Sequence, residues 1–425
     1  MAQDRTTGHF KAEEGLSRDQ QAAIRRQRLA ETVKQAYAQA PAVKAKLDSV
    51  GAKPEEITSL ADLERLPITE KSDLVRLQAE NPPFGGFVTL PREKLRRVFA
   101  SPGPIYEPWP MDYEDPRWAE AMFAAGFRPG DAAAVTFSFH LAPFGFMLDA
   151  SLKMLGVTSL PTGVGNTELQ VGIFKDLGVN AVCATPSFVH AIAHKAREMG
   201  LDPGRDLNLS AAFVAAEMLP ESLRSELEAD FGMTVRQAYG TADIGCLGYE
   251  CFHKGGMHFP VDCIVEIVDP ETGKRLGPGE MGEVAATCFD PLYPLIRFGT
   301  GDLSSYVDEP CDCGRTAPKL TRIMGRVDQV TKVKGMFVHP GQVDQVGARF
   351  DSLSAWRVVV TRSEQRDLMT FQVELKTTDL DREKLAGEIK AALKDVLRLK
   401  GEVEFVSPGT IPPDSKKVAD ERVWD

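Results

Sequence analysis

Apolar side chains near the start of the chain recur at the spacing of a helix. The positions that carry the pattern are Ile24, Leu29, Val33 and Tyr37. Residues four or so apart lie on one face of a helix, so this face would pack against the protein core. Ser17 has the short polar side chain that favours a helix N-cap. The pattern therefore predicts a helix from about Ser17 to Val50.

Short apolar runs alternate with amphipathic stretches between Asp131 and about Gly240. The predicted strands are Ala132–Phe137, Val157–Pro161, Ala181–Ala184, Ala211–Ala215 and Val235–Ala238. The predicted helices are Leu148–Leu155, Thr167–Leu177, Pro186–Met199 and Pro220–Phe231. Strands that alternate with helices over short connections form parallel sheets covered by helices. This part of the chain is therefore predicted to be α/β.

The pattern changes after Gly240, where Gly and Pro separate short β-like runs such as Ile264–Val268 and Gly282–Cys288. Near the C-terminus, the predicted elements are strands Trp356–Thr361, Met369–Leu375 and Val403–Val406 and a helix through Leu385, Ile389, Leu393 and Val396. We expect an α/β fold: a large N-terminal domain over 1–326, with parallel or mixed sheets and a β-rich subdomain, and a small α+β domain over 327–425.

Composition is typical of a globular protein, with 43% hydrophobic and 26% charged residues. The net charge of −11 argues against nucleic-acid binding, which needs clustered Lys and Arg. The N-terminal residues lack an apolar core, and the most apolar stretch, 132–150, contains His140, Pro143 and Asp149. We therefore expect neither a signal peptide nor a membrane span, and a cytoplasmic location. In that compartment seven cysteines indicate thiols or metal ligands rather than disulfides.

Three segments contain residues that suit a nucleotide site. The segment Tyr239–Asp243 offers an aromatic ring for a base, a glycine for close approach and a carboxylate for Mg²⁺. The alternative is an ordinary turn after a strand. Asp302, which follows Gly299 and Gly301, could accept hydrogen bonds from two ribose hydroxyls. The segment 325–340 lies between the two predicted domains and reads as a hinge.

Together these segments resemble the adenylate-forming superfamily, and most closely its phenylacetate–CoA ligase branch. Leu66–Leu74 is similar to the branch's LPxTxKxDL segment, and Ala215–Met218 to its GAEP stretch. Tyr239–Asp243 is similar to YGxTE, Thr300–Asp302 to TxD, and Gly325–Asp328 to GRxDD. Each motif is weak alone, but five in the right order and spacing are specific.

The resemblance implies roles for individual residues. Tyr239 would stack on adenine beside Gly240, and the adenine would also be lined by Ala215, Ala216 and Glu217. Asp302, assisted by Arg326, would hold the ribose hydroxyls; a surface ion pair is the alternative. Thr241 and Asp243 would lie in the catalytic centre, with Asp243 as Mg²⁺ ligand. Asp328 would be the hinge, and Lys332 and Gly335 would lie on the coenzyme A side of it, with Gly335 where the pantetheine arm passes.

The family also has a catalytic lysine near the C-terminus, and Lys416 fits that pattern best, with Lys417 as the alternative. A cation on a flexible stem can meet the negative charge that develops as a carboxylate attacks the α-phosphate. Without the resemblance, a Lys-Lys pair near a terminus would be assigned to solvated surface.

The phosphate loop departs from the family pattern. Its counterpart here is Ala100–Pro108, in which Ser101 and Gly103 are the clear remnants of the Ser/Thr/Gly-rich loop. Glu107 replaces the loop lysine, and Pro102 and Pro104 cannot donate backbone hydrogen bonds. Either the β- and γ-phosphates are held differently, or the ATP chemistry is impaired.

Cysteines and histidines form a second candidate site. Cys251, His258, Cys311 and Cys313 could make a tetrahedral structural zinc site, with His253 as a substitute ligand. The phenylacetate–CoA ligase branch often has a Cys and a His at the first segment and CxCG at the second. The alternative is a set of ordinary core thiols with a surface histidine.

The resemblance implies an ATP-dependent carboxylate–CoA ligase, an acid–thiol ligase that uses ATP, Mg²⁺ and coenzyme A and acts through an acyl-adenylate. Its partner would be a small carboxylic acid, with aromatic acids favoured; Phe139 and His140 are candidate pocket residues, with plain core packing as the alternative. A homodimer is compatible with the sequence. The rival functions are an adenylyltransferase of the same fold that modifies a phenolic-type hydroxyl, and a catalytically impaired nucleotide- or CoA-binding relative.

Overall fold

The computed structural model describes residues 4–101, 104–111, 114–327, 331–333, 336–338, 340–363, 366–377, 380–413 and 415–422. The fold has two compact units. Unit 1 comprises Met1–Thr300 and Ser304–Arg322, and unit 2 comprises Gly301–Leu303 and Ile323–Asp425. Unit 1 is a large assembly of sheets and helices and unit 2 is a smaller α+β unit, so the predicted fold class is confirmed.

The helices of the described residues are α1 (Arg18–Gln39), α2 (Pro41–Asp48), α3 (Leu60–Leu63), α4 (Leu74–Glu80), α5 (Arg117–Ala124), α6 (Phe144–Leu155), α7 (Thr167–Asp176), α8 (Pro186–Glu198), α9 (Pro203–Asp206), α10 (Glu221–Phe231), α11 (Pro340–Gly347) and α12 (Arg382–Val396). Short 3-10 helices cover Ala12–Gly15, Pro54–Glu56, Lys71–Asp73 and Arg92–Lys94.

The strands are β1 (Thr69–Glu70), β2 (Leu95–Ser101), β3 (Ile105–Pro110), β4 (Ala132–Val135), β5 (Thr158–Leu160), β6 (Ala181–Ala184), β7 (Ala211–Val214), β8 (Thr234–Thr241), β9 (Gly245–Tyr249), β10 (Met257–His258), β11 (Cys263–Val268), β12 (Gly282–Cys288), β13 (Phe298–Ser304), β14 (Tyr306–Val307), β15 (Lys319–Leu320), β16 (Gly325–Arg326), β17 (Thr331–Val333), β18 (Met336–Val338), β19 (Leu353–Ser363), β20 (Arg366–Leu375), β21 (Glu402–Phe405) and β22 (Val418–Asp420).

A nine-stranded sheet forms the centre of unit 1, in the order β14-β15-β10-β9-β8-β7-β6-β4-β5. The half from β5 to β8 is parallel, and from β8 to β14 each neighbouring pair is antiparallel. Successive side chains along its parallel strands pack into different apolar clusters. Ala133 and Val135 belong to one apolar cluster and Ala134 belongs to another. Because side chains alternate across a strand, both faces of this sheet are covered, as predicted for an α/β fold.

Two smaller sheets complete unit 1. One has the strand order β1-β13-β12-β11 and packs with the N-terminal helices, and the other is the antiparallel hairpin β2–β3. The far end of β13, Asp302–Leu303, belongs to unit 2 and pairs antiparallel with β16.

Unit 2 is built around a four-stranded sheet in the order β21-β20-β19-β22. The long hairpin β19–β20 is antiparallel, and each of its strands has a parallel outer neighbour. Helices α11 and α12 contribute Val343, Ile389 and Leu393 to the same apolar core as the sheet. Strand β22 was not predicted, since three residues leave too short a pattern to identify.

Two predicted elements differ from the structure. The single helix over 17–50 is interrupted: Ser17 caps α1 as expected, but Ala40 adopts an extended conformation and Pro41 begins α2. A residue before proline is pushed out of the helical region, which explains the break. The strand predicted to end at Ala238 continues to Thr241, so three of the five residues of the Tyr239–Asp243 motif lie on a strand rather than in a turn.

Each helix that the structure describes is too short or too polar to span a bilayer.

A buried ion pair holds the junction between the N-terminal helices and the β13 sheet. Arg297 and Glu266 are almost fully buried. Nε and Nη2 of Arg297 each donate to one oxygen of the Glu266 carboxylate, at 3.3 Å. The guanidinium also donates to the carbonyl oxygens of Leu66 and Gly273, at 2.7 and 2.6 Å. Arg297 has a φ of 47°, a backbone conformation that few non-glycine residues adopt. This side chain therefore fixes an unfavourable backbone position through its contacts.

We expect Arg297→Met to lower the free energy of unfolding by about 3–5 kcal/mol, because it leaves the Glu266 carboxylate buried without its cation. Urea unfolding followed by tryptophan fluorescence would measure the change. The control is Arg205→Met, since Arg205 is exposed and its pair with Asp206 is a surface pair, worth at most about 1 kcal/mol. Equal losses in the two variants would contradict the structural role of Arg297.

Candidate active site

Strand β8 positions the first nucleotide motif in the middle of the large sheet. It is parallel to β7 and antiparallel to β9, so its backbone is held on both sides. Gly240 lies where a side chain would not fit: an added Cβ would be 2.3 Å from the carbonyl oxygen of Gly245 and 2.8 Å from Trp118. The motif thus requires glycine because the chain approaches its neighbours closely.

A hydrogen bond joins this motif to the second one. The Tyr239 hydroxyl donates to Thr300 Oγ1 at 3.1 Å, across 61 residues of sequence. Thr300 in turn donates to the carbonyl oxygen of Val284 at 2.9 Å. The structure therefore brings together Tyr239 and the Thr300 end of the Thr300–Asp302 motif, on β8 and β13.

Asp302 and Arg326 form the pair that the resemblance suggested. Arg326 Nη1 donates to Asp302 Oδ1 at 2.9 Å, and the two residues are paired across β13 and β16. The Arg326 side chain is 44% exposed, whereas that of Asp302 is 17% exposed. The side chain that would contact a ribose is thus oriented by an arginine that solvent still reaches. Gly301, between Thr300 and Asp302 on β13, has a φ of 77°, a backbone conformation that favours glycine.

Asp243 follows β8 and is fully buried. Lys71, from the LPxTxKxDL segment, places its Nζ 2.6 Å from Asp243 Oδ2. The second oxygen, Oδ1, and the hydroxyl of Thr241 are buried and have no hydrogen-bond partner among the described residues. Leaving buried polar atoms unpaired costs roughly 1–3 kcal/mol each. Such atoms are typical of a site that a ligand completes.

Glu107 projects from the hairpin that replaces the family's phosphate loop. It lies on β3 opposite Phe99, is 4% exposed, and neither carboxylate oxygen has a hydrogen-bond partner in the described part of the chain. Burial raises the pKa of Glu107 to about 8, and the nearby charge of Asp243 adds to the rise, while the Ser101 hydroxyl and Lys71 oppose it. The loop therefore presents an acidic group at the position where the family has a cation.

Glu107 and Asp243 both line a cavity of about 70 Å³. Its walls combine aromatic rings with carboxylates and include Glu107, Trp109, Trp118, Asp243, Asp290 and Tyr293. The indole N–H groups of Trp109 and Trp118 are also buried without partners among the described residues. The tryptophans, Asp290 and Tyr293 were not predicted from the sequence, because they come from segments without a motif. Asp243 was predicted as a Mg²⁺ ligand, and Glu107 was noted as a departure from the family pattern.

Two other charged groups of the cavity have their partners within the protein. Arg117 donates to Asp115 at 2.9 Å, to the carbonyl oxygen of Ile244 at 2.7 Å and to Cys288 Sγ at 2.7 Å. Asp290 Oδ1 accepts hydrogen bonds from two backbone N–H groups at 2.7 and 3.0 Å, and burial raises the pKa of this carboxyl.

The predicted adenine-lining stretch follows β7. Ala215 is buried, whereas Ala216 and Glu217 are exposed, and Ala216 has a φ of 69°. A left-handed alanine is strained and persists only where its surroundings impose it, often at functional sites. Glu217 accepts hydrogen bonds from the Ser187 backbone and hydroxyl, at 3.2 and 2.8 Å.

The candidate substrate residues lie elsewhere than the cavity. The Phe139 ring packs nearly perpendicular to Phe146 at 5.1 Å, and His140 is exposed. Neither of them lines the cavity. Helix α6, which was predicted to start at Leu148, begins at Phe144.

The two C-terminal lysines have different surroundings. Lys417 Nζ lies 3.0 Å from Asp344 Oδ1 and 4.7 Å from the centre of the Trp356 ring, which fixes its side chain in unit 2. Lys416 is exposed, just before β22. Lys332 lies on β17. Gly103, Asp328 and Gly335, which the sequence assigned to the phosphate loop, the hinge and the coenzyme A path, and Ser101's neighbour Pro102 lie outside the described residues.

The four favoured metal ligands meet in unit 1. The ligand atoms of Cys251, His258, Cys311 and Cys313 all lie within 4.8 Å of one another. Cys251 Sγ is 3.7 Å from Cys311 Sγ, and Cys313 Sγ is 3.4 Å from His258 Nε2. Tetrahedral zinc with ordinary bond lengths would set these separations at about 3.8 and 3.6 Å. The set therefore has the size and the chemistry of a Cys₃His zinc site.

The surroundings of the cluster orient its histidine. His258 Nδ1 is 3.2 Å from the carbonyl oxygen of Ala317, a contact that leaves Nε2 toward the thiols. The backbone N–H of Arg315 donates to Cys313 Sγ at 3.4 Å. His253, the substitute ligand, is exposed and is not one of the four.

Comparison with protein families gives two matches. Residues 120–287 match the AMP-binding enzyme family, and residues 335–425 match the AMP-binding enzyme C-terminal domain. The first match contains the Tyr239–Asp243 motif, and the second contains Lys416.

Curated relatives are similar over nearly the whole chain. Phenylacetate-coenzyme A ligase from Thermus thermophilus is 30% identical, over 94% of this chain and 95% of the relative, and the Escherichia coli enzyme of that name is 29% identical over 97% and 96%. Among solved structures, an open conformation of 2-hydroxyisobutyryl-CoA ligase in complex with 2-HIB-AMP and CoA has a TM-score of 0.86 at 25% identity, covering 96% of this chain and 93% of that one. The shared motifs, the family matches and this end-to-end similarity show that the chain belongs to the phenylacetate–CoA ligase family of AMP-binding enzymes.

Proposed function

We propose that the protein is an ATP-dependent carboxylate–CoA ligase that makes an acyl-adenylate and then a CoA thioester. The observation that carries the proposal is the Tyr239–Thr300 hydrogen bond, which holds two adenylate motifs together although they are 61 residues apart. The similarity to phenylacetate-coenzyme A ligases and to a CoA ligase bound to an acyl-adenylate supports the same reaction.

In this proposal the protein's own residues bind and orient the nucleotide. The Tyr239 ring stacks on adenine, and Asp302, oriented by Arg326, accepts hydrogen bonds from the ribose hydroxyls. Thr241 and Asp243 have unpaired oxygens that fit Mg²⁺, which supplies positive charge to the phosphates when it is bound. A bare carboxylate lacks a good leaving group, and adenylation provides one.

The acid substrate is proposed to be a small carboxylic acid, with aromatic acids favoured. The similarity to phenylacetate-coenzyme A ligases supports this choice of acid. We further propose that 1–326 and 327–425 act as the adenylate-forming domain and the mobile domain, with Asp328 as the hinge between the two half-reactions.

A panel of carboxylic acids tests the function. With ATP, Mg²⁺ and CoA, we expect AMP and acyl-CoA to form together with at least one small acid, measured by chromatography. Asp302→Ala should bind AMP roughly 10- to 150-fold more weakly by calorimetry, because it removes a charged hydrogen-bond partner. Adenylation without thioester would favour the rival adenylyltransferase, and AMP or CoA binding without turnover would favour the impaired relative.

Lys416 should serve the first half-reaction only. We expect Lys416→Ala to form acyl-adenylate roughly 100- to 1000-fold more slowly, since its ammonium would meet the charge that develops on the α-phosphate. It should still convert supplied acyl-adenylate and CoA to thioester at nearly the wild-type rate. Single-turnover assays of each half-reaction would measure both effects.

Lys417→Ala is the matched control. Because Lys417 is held by Asp344 and Trp356, its loss should change stability slightly and leave both half-reactions near normal. Exchanged phenotypes would mean that Lys417 is the catalytic lysine. Equal losses in both half-reactions of Lys416→Ala would contradict the two-conformation mechanism.

We also propose that Cys251, His258, Cys311 and Cys313 bind a structural zinc ion. The fit of their separations to tetrahedral geometry supports the proposal, and four protein ligands leave no open position for a substrate. The ion would tie the β9–β10 segment to the loop before β15.

Purified protein should contain about one zinc per chain by elemental analysis. Cys313→Ser should lose the zinc and lower the melting temperature by roughly 5 °C or more, because metal binding contributes to folding. Cys183→Ser, which alters a buried cysteine outside the cluster, should keep its zinc even if it is less stable. Metal-free protein prepared without chelator would contradict the zinc site.

A further inference from the structure

Two carboxylates face the cavity with unpaired oxygens. Glu107 is more than nine-tenths buried, and both of its carboxylate oxygens lack a hydrogen-bond partner among the described residues. The Asp243 side chain is fully buried, and its Oδ1 also lacks a hydrogen-bond partner among the described residues. Both side chains line the same cavity. Burying two acidic groups this way is unfavourable unless something else satisfies them.

The neighbouring charges do not satisfy them. Arg117 donates its hydrogen bonds to Asp115, to backbone carbonyl oxygens and to a thiol, and Oδ1 of Asp290 accepts two backbone hydrogen bonds. The ammonium group of Lys71 contacts Asp243, at Oδ2. One ammonium therefore faces two carboxylates, and the oxygens that point into the cavity still lack a cation.

The donor atoms at this place are all oxygens. The carboxylate oxygens of Glu107 and Asp243 supply them, and the one thiol among the described residues that line the cavity, Cys288, already accepts a hydrogen bond from Arg117. Carboxylate and hydroxyl oxygens without sulfur or imidazole suit Mg²⁺ or Mn²⁺. A cavity of about 70 Å³ has room for an ion with roughly four or five waters, and Mg²⁺ usually retains several of its waters.

We propose that Glu107 and Asp243 together bind a divalent cation, Mg²⁺ in the working protein, before the nucleotide enters. The inference builds on the proposed adenylation site, because it explains how a loop with glutamate in place of lysine can still offer positive charge to phosphates. The cation supplies the charge that the loop side chain no longer carries, and Glu107 is a ligand of that cation. An ammonium group of a substrate is the competing occupant.

Mn²⁺ binding without nucleotide tests the proposal. Electron paramagnetic resonance of the zinc-loaded protein, at a pH above the value of about 8 to which burial raises the pKa of Glu107, should show about one bound Mn²⁺ per chain, displaced by Mg²⁺. Glu107→Gln keeps the size of the side chain and removes one carboxylate, so the affinity should fall by at least about tenfold, the lower range for losing even an outer-shell partner of a metal. Asp243→Asn should weaken binding similarly.

Two controls separate ligation from general negative charge. Asp290→Asn removes a charge from the same cavity at a carboxyl group whose Oδ1 already accepts two backbone hydrogen bonds, so the affinity should change less than about twofold. Lys71→Met removes the competing ammonium and should raise the affinity by roughly fivefold. Thermal melts would confirm that each variant is folded.

Three results would overturn the proposal. One is the absence of Mn²⁺ binding by the wild type, as expected if the cavity takes an ammonium group. Another is an equal loss in Glu107→Gln and Asp290→Asn. The third is loss of Mn²⁺ in Cys313→Ser, which would place the ion at the thiol cluster. The measurement contains no acid or CoA, so an inactive ligase with intact Mn²⁺ binding would contradict the proposed function alone.

Discussion

The hydrogen bond between Tyr239 and Thr300 is the contact on which the candidate active site depends. It joins a strand of the nine-stranded sheet to a strand of the β13 sheet, and each strand carries one nucleotide motif. Gly240 permits the close packing behind the first strand, and the buried Arg297–Glu266 pair fixes the segment that leads into the second. Local chain conformation alone would not place these motifs side by side.

Charged groups in unit 1 fall into two classes that differ in how they are satisfied. Arg297 and Arg117 are buried with full sets of partners, and they hold elements together. Glu107 and Asp243 have buried carboxylate oxygens without a hydrogen-bond partner among the described residues, and the positive charge of Lys71 balances their negative charge in part. Structural ion pairs are normally complete, whereas ligand sites retain unpaired groups. The contrast distinguishes the active-site cavity from the supporting core.

The thiol cluster and the cavity use different ligand chemistry for different purposes. Three sulfurs and an imidazole nitrogen suit zinc and leave no position open, so the cluster joins segments that are distant in sequence. At the cavity, the carboxylate atoms without a hydrogen-bond partner among the described residues are oxygens with space beside them, which suits a hard cation that would also contact phosphates. The glutamate of the phosphate loop, which looks like a defect beside the family pattern, becomes a ligand in this arrangement.

The sequence by itself determined the alternation of strands and helices, the family motifs and the four cysteine and histidine residues that meet in the thiol cluster. Each of these depends on local periodicity or on residue identity at short spacing, which a single chain displays directly. The helix break before Pro41 and the extension of β8 through Thr241 were not predicted. The break depends on a steric clash between Pro41 and the residue before it, and the extension depends on pairing with β9. Only the tertiary structure decided which oxygens remain unpaired, that Trp109 and Trp118 line the cavity, and that Lys417 is held while Lys416 is exposed. Those properties depend on contacts between residues tens to hundreds of positions apart, and no local pattern encodes them.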